Sequence, residues 1–126
     1  MALVSRGDRC VLARQHGWPK NFYAAVAGFV EPGESTEDAA VREIKEELGL
    51  DVSLLRYFRS QPWPFPASLM VGFFAEATSD ELFVDHEELE DARWFSRAEL
   101  ENPTGFLYPP AYSLAHFMIR AFIERR

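Results

Sequence analysis

Cysteine is almost absent: Cys10 is the only one in 126 residues. A single thiol excludes an internal disulfide framework and any zinc site built from several cysteines. It fits a reducing, cytoplasmic setting. Long apolar runs are also missing, so no transmembrane helix is expected. The opening MALVSRGDRC has no apolar h-region and reads as a mature strand, not a signal peptide. The chain ends Glu124-Arg125-Arg126, without the Ser-Lys-Leu peroxisomal ending. Basic residues are outnumbered: 13 Lys and Arg face 20 Asp and Glu, a net charge of −7. That balance argues against binding duplex nucleic acid or anionic membranes. It is compatible with a polyphosphate substrate, because a bound divalent cation reverses the local field. Repeats and low-complexity tracts are lacking, and the length suits one compact domain, 1–126.

Arg6-Gly7-Asp8-Arg9 separates two short apolar runs and predicts a hairpin. Residues 24–30 are apolar and small, which predicts a buried strand that Pro32-Gly33 ends. Residues 35–48 give the clearest helix. Ser35 can cap it, Glu37 and Asp38 suit its positive end, and Gly49 suits a left-handed C-terminal cap. Residues 52–59 and 69–77 read as strands, with 92–95 as a third, shorter one. Ser96 to Glu99 has the spacing of a capping box, and the apolar spacing of Leu114, Phe117, Met118, Ala121 and Phe122 predicts a last helix. This order implies an α+β sandwich of helices on a mixed sheet.

Residues 28–50 read GFVEPGESTEDAAVREIKEELGL. Glu43, Glu46 and Glu47 stand three and four apart, so their carboxylates share one helix face. The apolar stripe Ala40, Ile44 and Leu48 lies roughly 100° away. Clustered carboxylates repel one another, and a helix that keeps them is suited to hold a cation there. Their hard oxygens select Mg²⁺ or Mn²⁺ over zinc. Glu34 can join or support the cluster, and the planar fork of Arg42 can orient a carboxylate. Gly28 and Gly33 allow a tight loop to pass close by. A solvated acidic helix face is the competing reading.

The whole pattern resembles the signature of the Nudix hydrolases, matching at nine specified positions over 23 residues. The resemblance implies an α/β/α sandwich with a loop-helix-loop metal site that hydrolyses a nucleoside diphosphate linked to another group. By position it makes Glu43 and Glu47 metal ligands and Glu46 a ligand or a base. The carbonyl of Ala27 becomes a further ligand, and Gly28, Glu34 and Arg42 become structural. Which of the three glutamates takes the proton stays open.

A second segment, SQPWPFPAS at residues 60–68, alternates proline with aromatics. Each proline fixes its own φ and keeps its predecessor extended, which predicts a stiff loop and not a central strand. Stiffness lowers the entropy lost on binding. Trp63 and Phe65 can face a base or pack in the core; Gln61 and Ser68 can donate hydrogen bonds. The segment is similar to the SQPWPFPxS marker of the NADH pyrophosphatase branch of the Nudix family, at all eight specified positions. The resemblance makes Gln61, Pro62, Trp63, Pro64, Phe65, Pro66, Ala67 and Ser68 part of a dinucleotide site. It also adds Glu88 as a metal ligand and Ala115 as a backbone contact to substrate. Phe29 is a candidate to stack on nicotinamide or adenine, with a core position as its alternative. His16, His86 and His116 show no ligand spacing.

The branch usually carries an upstream domain and a four-cysteine zinc ribbon, and this chain has neither. It is either a short natural form or an excised catalytic domain. The implied reaction is metal-dependent hydrolysis of NADH or NAD⁺ to NMN(H) and AMP. The resemblance extends to NAD-capped RNA 5′ ends and to a homodimer, with no membrane partner. Another Nudix substrate (ADP-ribose, a dinucleoside polyphosphate or a modified nucleotide) fits the intact SQPWPFPxS segment less well. A non-catalytic Nudix-fold module would tolerate loss of the glutamates, yet all are present.

Overall fold

The computed structural model describes residues 1–64 and 67–125. Strands β1 (Ala2–Arg6) and β2 (Arg9–Arg14) form the expected hairpin around Gly7-Asp8, with Arg6 opposite Arg9. They join β3 (Val52–Trp63), β4 (Ser68–Ala77) and β5 (Asp91–Ser96) in a sheet of order β3-β4-β1-β2-β5. β1 runs parallel to β4, and the other neighbours are antiparallel, so the sheet is mixed.

Alternation along β1 and β2 builds two cores, one on each face. Leu3, Cys10 and Leu12 pack with the short helix α2 (Arg97–Glu101) and with α3 (Leu114–Glu124). Ala2, Val4, Val11 and Ala13 pack with Ile44 and Leu48 of α1 (Thr36–Leu48). The result is an α/β/α sandwich. Ile44 and Leu48 are fully buried, and truncating either to Ala should cost about 2–5 kcal/mol. These two side chains fix the rotation of the helix that carries the acidic face.

The helix boundaries follow local chemistry. The Ser35 hydroxyl accepts from the Asp38 N–H at 3.0 Å, satisfying one of the helix's unpaired donors. Gly49 ends α1 at φ 70°, where its N–H bonds the Lys45 carbonyl. Both halves of the Ser96–Glu99 capping box form.

Two expectations change. Residues 24–30 are not a strand. Ala24 pairs only with Ala13 and Val26 only with Ala2, at the same end of the β1/β2 pair. The segment therefore crosses that end instead of running beside a neighbour, and residues 28–30 emerge exposed. The Pro-aromatic segment is also not simply a loop. β3 continues through Pro62 to Trp63, and β4 resumes at Ser68. β3 is an edge strand, where the N–H that Pro62 lacks is not needed for an interior ladder bond. Phe65 and Pro66 lie outside the described residues.

Candidate active site

α1 brings Glu43, Glu46 and Glu47 together, and Arg42 holds the first two. Its Nε donates to Glu34 Oε2 at 2.7 Å and its Nη2 to Glu34 Oε1 at 3.0 Å, a two-pronged pair. Nη1 reaches Glu43 Oε1 at 3.0 Å and Glu46 Oε2 at 3.2 Å. Nη2 also donates to the Phe29 carbonyl at 3.1 Å, pinning the loop that precedes the helix. Hydrogen bonds from Arg42, and then from the Glu31 backbone N–H, pull Glu34 down to about 2. Glu34 and Arg42 thus form a charged brace. Gly28 has a steric reason: a Cβ there would overlap the Glu43 carboxylate.

Glu47 is the unusual group. It is 7% exposed, and its Oε2 is buried with no hydrogen-bond partner among the described residues. Burial, and then the charges of Glu43, Glu88, Glu46 and Asp85, push its carboxyl up to about 7. Glu88 therefore contributes to the cluster's field, on a loop docked to the end of α1. The Asp85 N–H bonds the Glu47 carbonyl at 3.0 Å, and the Glu88 and Leu89 N–H groups both turn back to the Asp85 carbonyl. The other acids of this crowded stretch sort by partner. Asp91 accepts from the Tyr23 hydroxyl at 2.6 Å, and Glu90 pairs with His16 at 2.6 Å.

A cleft of about 780 Å³ opens beside this cluster. Ala27, Gly28, Phe29 and Glu43 line it on the α1 side; Gln61, Trp63 and Ser68 line it from the edge hairpin; Ala115 lines it from α3. Phe29 is 85% exposed, which removes its alternative as a core aromatic. Among the described residues no donor reaches the Ala27 carbonyl, which leaves that oxygen open. Pro62, Pro64 and Ala67 are exposed and are not among the lining residues.

Whether these groups suit a cation can be tested on the donors themselves. Among the described residues no three acidic, histidine or cysteine side chains already converge at ligand distances. Arg42 accounts for part of this, because its Nη1 holds Glu43 and Glu46. The donor set nevertheless fits a hard divalent ion. It is all oxygen, and it surrounds a buried carboxylate oxygen that nothing else satisfies.

The NUDIX domain family model matches residues 1–117. The chain belongs to the Nudix family. It is 44% identical over 124 residues to a Macaca fascicularis protein named NAD-capped RNA hydrolase NUDT12, covering 94% of this chain and 27% of that protein. It is 42% identical over 126 residues to a Pseudomonas putida protein named NAD-capped RNA hydrolase NudC, covering 100% of this chain and 44% of that protein. The chain thus spans less than half the length of these curated relatives. Among solved structures, a NUDIX-family hydrolase from Clostridium perfringens superposes with a TM-score of 0.76 at 19% identity, over 98% of this chain and 93% of that one. The NUDIX domain of Shewanella oneidensis NrtR, complexed with ADP ribose, gives 0.75 at 16% identity, over 98% and 84%. At those identities the likeness concerns the fold. Nudix hydrolases generally need a divalent metal.

Several residues around this cleft carry no motif in the sequence. Trp18 and Phe22 line the cleft and meet edge to face at 5.2 Å. Their segment, GWPKNF, has the same proline-and-aromatic composition that drew attention to residues 60–68. Asp85, which belongs to no motif of the sequence, helps raise Glu47. No helical or strand period links positions 47 and 85, so only the loop's docking reveals it. Gln61 lines the cleft, and its carboxamide bonds the Tyr112 carbonyl and the Leu114 N–H, both at 2.8 Å.

Proposed function

We propose that this Nudix domain hydrolyses the pyrophosphate bond of NADH and NAD⁺, yielding NMN(H) and AMP, and that it cleaves the same bond at NAD-capped RNA ends. The observation that carries the reading is a carboxylate cluster around a Glu47 oxygen that is unsatisfied among the described residues, beside a cleft lined by Gln61, Trp63 and Ser68 of the edge hairpin. The names of the NudC and NUDT12 relatives support the substrate class.

Glu43, Glu46, Glu47 and Glu88, with the Ala27 carbonyl, would hold Mg²⁺ or Mn²⁺. When bound, the ion neutralises charge on the bridging and leaving oxygens and lowers the pKa of water. Arg42 keeps Glu43 and Glu46 aligned and ties them to the Phe29 loop. Water adds to one phosphorus, the P–O bond to the bridging oxygen breaks, and a box carboxylate (Glu46 or Glu47, or Glu43 through a water) accepts the water's proton. The exposed Phe29 ring offers a stacking face at the cleft mouth. Trp63 and Ser68 shape the opposite wall. The Ala115 N–H, which has no partner among the described residues, is a donor for the substrate.

A cytoplasmic setting suits the single buried thiol of Cys10. A homodimer would cover the exposed Leu54, Tyr57 and Leu69 of the edge hairpin. The functional test is product analysis. With Mg²⁺ or Mn²⁺, NADH should give NMNH and AMP in equal amounts, and NAD-capped RNA should give a 5′-monophosphate end. Intact NADH after incubation with a folded, Mn²⁺-binding sample would refute the proposal.

A further inference from the structure

We propose that Gln61 is a positioning residue: it fixes the first turn of α3 against the edge hairpin, and it acts on the substrate through that turn instead of touching it. The proposal deepens the reading of the cleft as the NAD(H) site and rests on it. Gln61 stands on β3 opposite Met70. Its Nε2 donates to the Tyr112 carbonyl and its Oε1 accepts from the Leu114 N–H, each at 2.8 Å. A carbonyl only accepts and a backbone N–H only donates, so the two partners fix the amide's orientation.

Leu114 is the first residue of α3, and its N–H has no acceptor within the helix. Gln61 supplies that acceptor from more than 50 residues away in the chain. The neighbouring donors are satisfied locally. The Ser113 N–H bonds the Pro110 carbonyl, the His116 N–H bonds the Ser113 hydroxyl, and the Phe117 N–H bonds the Ser113 carbonyl. Ala115 alone in this turn keeps an N–H without a partner among the described residues, and Ala115 lines the cleft. By capping Leu114 and holding the Tyr112 carbonyl, Gln61 determines where the Ser113–Ala115 backbone sits as a cleft wall. The Arg59 guanidinium lies 5.3 Å from the Phe117 ring centroid, and Leu114 and Met118 are fully buried. These contacts keep α3 docked when Gln61 is changed.

The test compares the full chain with Gln61→Met and Gln61→Glu. Met keeps the length and removes both bonds; Glu keeps the acceptor for Leu114. Amide hydrogen exchange on the substrate-free protein reads the turn, and kcat and KM for NADH read its consequence. Gln61→Met should speed exchange at Leu114, His116 and Phe117 and raise KM about tenfold, the scale of one or two lost hydrogen bonds, with kcat within about threefold. Gln61→Glu should keep most of the protection and most of the affinity. Three results would overturn the proposal. One is a raised KM in Gln61→Met with unchanged exchange at His116 and Phe117, which means direct contact. Another is a Gln61→Glu protein as impaired in KM as Gln61→Met although its turn stays protected. The third is faster exchange in Gln61→Met with no change in KM. If wild type prefers another nucleotide, the NAD(H) reading fails, and the same comparison is made with that nucleotide; the exchange result needs no substrate at all.

Discussion

Replacing Glu47 with Gln should make the metal-free protein more stable, although Glu47 is expected to be indispensable for activity. The carboxyl moves from an ordinary 4.5 to about 7 in the folded chain, chiefly through burial and then through its acidic neighbours. Between those two values the folded state retains a proton that the unfolded state has lost. Stability therefore falls as pH rises through that window, and above about 7 the full penalty applies. Taken alone, the shift corresponds to roughly 3 kcal/mol. Solvent at the cleft reduces it, leaving about 1–2 kcal/mol. Gln has the same shape, carries no charge, and can donate to the surrounding carboxylates. At pH 8 with chelator, Glu47→Gln should melt about 3–8 °C above wild type. Near pH 5 the two proteins should converge. Saturating Mn²⁺ should reverse the order, because an ion that binds wild type at 100 times Kd adds about 2.7 kcal/mol. Calorimetry at both pH values, with and without Mn²⁺, reads all of this. A variant less stable than wild type at pH 8 in chelator, or a difference that ignores pH, would refute the reasoning.

Glu88→Gln should weaken Mn²⁺ activation about tenfold while Glu87→Gln leaves it unchanged; a Mn²⁺ titration of turnover giving equal, small effects at both would mark Glu88 as a solvated acid. Gly28→Ala should fold yet lose Mn²⁺ affinity, because the added Cβ displaces the Glu43 carboxylate; calorimetric titration with Mn²⁺ that matches wild type would contradict that steric account. Gly49→Ala should cost about 1–3 kcal/mol in urea unfolding, since it places a side chain at φ 70° and against Phe83. An unchanged urea midpoint would show that the cap relaxes freely.

The parts of the fold that were legible in the sequence are those determined by local chemistry. Ser35 and Gly49 bound α1, Ser96 and Glu99 start α2, and Gly7-Asp8 turns the first hairpin, because each feature satisfies backbone groups within a few residues. The carboxylate face was legible because helical spacing alone places Glu43, Glu46 and Glu47 together. What was hidden depends on tertiary placement. Residues 24–30 have a strand's composition but meet β1 and β2 only where they cross them. Pro62 argues against a strand until β3 is known to be an edge. Asp85 gains its influence through a bond to the Glu47 carbonyl, and Gln61 gains its role through partners in the approach to α3. No periodicity in the chain encodes either meeting.

If this Nudix cleft selects a dinucleotide, NADH must outcompete other nucleotides for it in a mixture. Equimolar NADH, ADP-ribose, a diadenosine polyphosphate and nucleoside triphosphates are mixed with the protein and Mn²⁺, and their relative consumption gives the ratios of kcat/KM. NADH should disappear first, with NMNH and AMP rising together, because ADP-ribose lacks nicotinamide and the triphosphates lack a second nucleoside. A preference of about tenfold or more for any other compound would contradict the claim.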